Sequence, residues 1–74
     1  MRKSNKHDRI LEIICLVFRN ESFSAVWLAR KHRVSKKSIS RDICVVRMFL
    51  AEHRDLVGYK NLIYDSRSRT YYLA

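Results

Sequence analysis

Ser24 and Ser35 each stand directly ahead of a run of apolar residues at helical spacing, with only Arg33 and Val34 between the end of the first run and the second serine. A serine so placed accepts a hydrogen bond from a free amide of the following turn, so each marks a helix start. The pattern predicts a helix from Ala25 to about His32 and another from Lys36 to about His53, joined by a turn of three or four residues. Two helices joined so closely must pack at a steep angle and share one core.

On the longer of these helices Ile39, Ile43, Val46 and Leu50 keep a 4-3-4 spacing, the stripe expected to face that core. On the shorter one Val26, Leu28 and Ala29 are core candidates and Trp27 sits at the rim. Arg30, Lys31 and Arg33 crowd its C-terminal end, where the helix dipole favours cations.

Upstream, Asp8 to Arg19 reads as a first helix, with Ile10, Leu11, Ile13, Ile14, Cys15, Val17 and Phe18 at helical spacing. At about 100° per residue these positions span roughly 200°, twice the stripe of roughly 100° that suffices to sit on a core. Leu16 falls outside even that arc, among Arg9, Glu12 and Arg19. Two readings stay open: a thoroughly buried helix, or a second contact surface for self-association or a partner protein. Val45 and Phe49 form a comparable second strip on the third helix, to be covered by a C-terminal hairpin or by another subunit, the hairpin being the simpler expectation.

After Arg54 the period changes. Asn61 to Asp65 and Thr70 to Ala74 are short, rich in β-branched and aromatic residues, and separated by the polar stretch SRSR, which predicts a hairpin packed by Tyr64, Tyr71 and Tyr72. Gly58 either closes a continuation of the third helix or permits a tight bend into the first strand, the reading preferred. The fold class is thus mainly α with a small β-hairpin. With no Pro, one Gly and no repeat in 74 residues, a single domain is expected over residues 8–74, after a flexible basic leader at residues 1–7.

The formal net charge is +9, from 16 Lys and Arg against 7 Asp and Glu, which points to a polyanionic partner. No apolar run approaches the roughly 20 residues that cross a bilayer, so a cytoplasmic protein without a membrane partner is expected. Cys15 and Cys44 stand alone, with no zinc-ligand spacing, which predicts neither disulfide nor metal. His7, His32 and His53 are scattered and read as surface residues, and no paired carboxylates or activated nucleophile are evident. An enzyme, a cofactor and a small-molecule ligand are therefore not expected.

Helix, helix, short turn, helix, hairpin is the order of a winged helix-turn-helix. With the Ile39 stripe inward, Lys37 and Arg41 project to the opposite side of the third helix, beside Ser40 and Cys44. Two cations among short hydroxyls suit a major groove about 12 Å wide. Arg41, able to make paired hydrogen bonds to guanine, is the first candidate for reading a base, and Lys37 the second. Lys36, Ser35 and Ser38 suit phosphates at the positive end of the helix. Six basic residues and no acid lie between Arg30 and Arg41, which adds Arg30 and Lys31 to the surface. Arg67 and Arg69 occupy the hairpin tip, within reach of a flanking minor groove or its phosphates. Asp42, on the flank, is expected to hold a basic neighbour from the second helix.

The stretch SAVWLARKHRVSKKSISRDI, Ser24 to Ile43, resembles the DeoR-type winged helix-turn-helix signature in its Leu28-Ala29, Val34-Ser35 and Arg41-Asp42-Ile43 elements. The ending YDSRSRTYYLA is similar to the wing hairpin of that family. Where the family pattern usually carries Thr and Arg, this chain has Ser38 and Ser40, so one typical DNA contact is absent. The resemblance implies a DNA-binding transcription regulator, and at this size it is similar to small stand-alone regulators of phages and other mobile elements. Three functions compete: a repressor or antirepressor on double-stranded DNA, an excisionase-like or architectural DNA-bending factor, and an inhibitor that binds another regulator through the first helix. A homodimer is a further expectation for that helix, and RNA stands below duplex DNA as a partner.

Overall fold

A computed structural model describes residues 5–74. Its elements are α1 (Lys6–Phe18), α2 (Ala25–His32), α3 (Lys36–Glu52), a single 3-10 turn at Arg54–Val57, β1 (Leu62–Asp65) and β2 (Thr70–Leu73). Three helices followed by an antiparallel hairpin make a winged helix-turn-helix.

α1 begins two residues earlier than the apolar pattern indicates. Asn5 adopts extended backbone and its side-chain oxygen accepts the Asp8 amide at 2.9 Å, so Lys6 and His7 join the helix instead of a leader. The first four residues of the expected leader lie outside the described residues. Ser24 and Ser35 cap as expected, accepting the amides of Trp27 at 3.2 Å and Ser38 at 3.1 Å. Between α2 and α3 the chain reverses at Arg33, in the left-handed region at φ 55°, while the Val34 amide closes on the Ala29 carbonyl at 3.0 Å.

Helices α1 and α2 both pack on α3. Ile39, Ile43, Val46 and Leu50 are all buried, as their spacing indicates, against Ile13 and Val17 of α1 and Leu28 and Ala29 of α2. Val26, expected in the core, is instead exposed. The 3-10 turn ends at Gly58, φ 63°, followed by Tyr59, φ 62°. Gly58 therefore ends a separate short helix, not a continuation of α3, and two left-handed residues in succession swing the chain toward β1.

In the hairpin Leu62 pairs with Leu73, Ile63 with Tyr72, Tyr64 with Tyr71 and Asp65 with Thr70. A pair of backbone bonds between Asn61 and Ala74 extends it by one residue. Phe23 adds a third edge that the sequence conceals. Its amide and carbonyl both bond to Tyr71, at 3.0 and 2.7 Å, and its buried ring stacks on the Tyr71 ring with centroids 5.5 Å apart. Thus the link between α1 and α2 anchors the hairpin.

The hairpin meets α3 on the side opposite to Val45 and Phe49. Arg47, on the hairpin side, reaches the Leu62 carbonyl at 3.4 Å and lies 5.7 Å from the Tyr71 ring centre. Phe49 stacks on His53 with centroids 4.3 Å apart, and Val45 is exposed. The expected cover of this strip by the hairpin is not found, because Arg47 and Val45 lie about 160° apart around the helix.

Candidate nucleic-acid interface

Burial of one face of α3 fixes what the other presents. Ile39, Ile43 and Val46 are at most 2% exposed, so the opposite side of the same turns must face outward. Lys37, Ser40 and Arg41 are exposed there, Lys36 is exposed toward the hairpin, and Ser38 is half-buried toward the other edge. The hydroxyls of Ser35 and Ser38 lie 3.1 Å apart, so the cap is a paired-hydroxyl corner at the helix start.

Arg30, Lys36, Lys37, Arg41, Arg67 and Arg69 have no ion-pair partner among the described residues. Cations left unpaired in this way produce a positive field that stays available to an external anion.

The structure joins the wing to this surface. Lys36, Tyr64, Arg69 and Tyr71 line one cleft with Ala25 and Val26, so the first turn of α3 and the hairpin present a lysine and an arginine across an aromatic wall. Tyr64, expected to pack the hairpin, thus also faces this cleft. Arg67 sits further out, its amide held by the Asp65 carboxylate at 2.9 Å in a tight turn, and the Ser68 and Thr70 hydroxyls lie 2.6 Å apart behind it.

Lys31 is placed differently from the other candidates. Its ammonium bonds to Glu12 of α1 and lies 5.0 Å from the centre of the Trp27 ring, so it turns toward α1 and away from the α3 face. Glu12 also meets His32, whose Nε2 lies 2.5 Å from the carboxylate. His32 is buried and its Nδ1 has no partner, contrary to a surface histidine. Burial pushes the Glu12 carboxyl upward, but the bonds and positive charge of Lys31 and His32 outweigh it and hold its pKa below the ordinary value.

Asp42 is 1% exposed, and its partner is Arg9 of α1, not a residue of α2: the Arg9 Nε donates to its carboxylate at 2.6 Å. Asp42 and Glu12 are thus both drawn into helix-to-helix contacts. What remains on the outward turns of α3 from Lys36 to Arg41 carries positive charge alone.

Among the described residues no cluster of three or more His, Cys, Asp or Glu side chains could hold a metal ion, and both cysteines are free and exposed. No described helix is long and apolar enough to cross a membrane. Comparison with protein-family models, with curated proteins and with solved structures yields no match to this chain.

Proposed function

We propose that the chain is a sequence-specific double-stranded DNA-binding protein, acting as a transcription regulator, that inserts the start of α3 into the major groove. The observation that carries this reading is the outward, unpaired placement of Lys37 and Arg41 directly behind a fully buried Ile39–Ile43–Val46 ridge. The resemblance of Ser24 to Ile43 to DeoR-type domains supports the same assignment.

In this reading Arg41 forms paired hydrogen bonds with guanine O6 and N7, and Lys37 reaches a neighbouring base edge. Lys36 and Arg69 grip one backbone from either side of the wing cleft, and Arg30 and Arg67 meet phosphates at its ends. Ser40 takes the position of a smaller polar contact, which leaves Arg41 to dominate discrimination. Asp42 carries no base contact; with Arg9 it fixes the rotation of α3, and so the direction in which Arg41 points.

Selection of bound duplexes from a random pool tests this reading. The intact chain recovers a motif, and Arg41→Ala loses the preference at one base pair, worth about 1–3 kcal/mol. Removing Lys36 or Arg69 weakens all sequences alike and lowers the salt dependence by about 0.9 in log–log slope per lost phosphate contact. An unchanged motif in both Arg41→Ala and Lys37→Ala refutes the base-reading assignment.

A further inference from the structure

α1 presents an apolar stripe that nothing among the described residues covers. Leu11 is 60% exposed and Phe18 47%, with Cys15 exposed between them and Ile14 half-buried at the edge toward α3. At about 100° per residue, Leu11, Cys15 and Phe18 share the side of α1 that faces away from the buried Ile13 and Val17. Val45 of α3 is exposed as well, about 60° around that helix from Asp42, the residue that binds Arg9 of α1. Phe18 shares a hollow with Leu56 at the far end.

The stripe has an internal symmetry. Leu11 precedes Cys15 by four residues and Phe18 follows Ile14 by four, so the pattern reads the same in both directions about the midpoint of Ile14 and Cys15. Along the edge of the stripe away from Ile14 stand two opposite charges, Asp8 at one end and Arg19 at the other, both exposed. They are 11 residues apart, three turns, and so align on one line of the helix.

We infer that this face of α1 is a self-association surface, on which a second copy of the chain packs antiparallel about a two-fold axis through Ile14 and Cys15. That axis sets Leu11 against the partner's Phe18 and Cys15 beside the partner's Cys15. It also brings Asp8 to within two residues' rise, about 3 Å along the axis, of the partner's Arg19, a gap the long arginine side chain spans, and it does so twice per dimer because an isologous contact repeats every pair. Arg19 gives up part of its exposed pairing with Glu21, which costs little at a surface. A strongly cationic chain repels its own copies everywhere else, so the neutral stripe is the surface on which two copies can meet. The contact needs no DNA, and its test is independent of the DNA-binding reading.

The full chain is examined without DNA by sedimentation equilibrium at high salt, where the repulsion between copies is screened. A monomer–dimer equilibrium is expected, weakened roughly ten-fold or more by Leu11→Gln, which removes two buried leucines per dimer. Circular dichroism confirms that the exposed substitution leaves the fold intact. At moderate salt, where exposed ion pairs are not fully screened, Asp8→Arg and Arg19→Asp each weaken the dimer, and the two together restore it, an outcome particular to the antiparallel register. A Cys44→Ser chain treated with a short bis-maleimide yields a covalent dimer through Cys15. A chain that stays monomeric at every salt concentration, a Leu11→Gln dimer as tight as the parent, or a double charge swap that fails to restore association overturns the inference.

Discussion

Removing Arg9 should destabilise the fold far more than neutralising the acid it binds. The Arg9 side chain is 12% exposed and that of Asp42 2%, with 2.6 Å between Nε and the carboxylate. Arg9→Ala leaves a buried carboxylate without its counter-charge, a defect that costs about 3–5 kcal/mol. Asp42→Asn keeps the volume and one oxygen acceptor for Nε. The guanidinium it leaves behind is close enough to the surface for its long stem to carry the charge into water, so the loss is nearer to about 1–2 kcal/mol.

A domain of this length has a total stability of about 4–11 kcal/mol. Arg9→Ala therefore removes a large share of it, lowering the melting temperature by roughly 12 °C or more, whereas Asp42→Asn costs about half of that or less. Urea titrations followed by helical circular dichroism at neutral pH measure both, with an unchanged slope certifying two-state behaviour. Arg9→Met with Asp42→Leu supplies the control, because replacing both charges with apolar side chains recovers most of the loss. An Arg9→Ala variant no less stable than Asp42→Asn refutes the claim that the buried carboxylate depends on its arginine.

What the sequence makes legible here is what is local. The Ile39, Ile43, Val46 and Leu50 ridge follows from periodicity, the two serine caps from the residues around them, and the outward Lys37 and Arg41 from being the complement of the ridge. Hidden features depend on partners far along the chain or on the rotation of one element about another. Phe23 lies in a short polar link, and only the later arrival of Tyr71 makes it a strand edge and a core residue. His32 looks like a surface residue until Glu12, 20 positions earlier, is folded against it. Asp42 was readable as a paired acid, but not which helix supplies the base, since α1 and α2 both flank α3. The same limit misplaced the wing: no local pattern says whether the hairpin lies along Arg47 or along Val45. Lys31 shows the consequence for the site, because a cation in a basic run is counted with its neighbours in sequence while its side chain belongs to another helix.

Glu12→Gln should lower stability at neutral pH by about 1–2 kcal/mol, a value limited by the half-exposed Lys31. Because the Glu12 pKa is lowered in the fold, its contribution is in place above the ordinary carboxylate range and fades as pH falls through the lowered value, so melts of parent and variant converge under acid conditions. Phe23→Ala should cost about 3–5 kcal/mol and loosen the hairpin, read as lost near-ultraviolet tyrosine signal and faster amide exchange at Tyr71. Gly58→Ala sets two effects against each other. A β-carbon there meets no atom within 4 Å, so packing is unaffected, but φ is +63° and an L-residue pays about 1–2 kcal/mol in that region. Alanine also restricts the unfolded chain, which returns about 0.4–1 kcal/mol. The net loss is about 1 kcal/mol, and Gly58→Asn, which tolerates the left-handed conformation, should lose less than Gly58→Ala in the same urea titration. If alanine proved as stable as glycine, the left-handed turn at Gly58 would not be what directs the chain from α3 into β1.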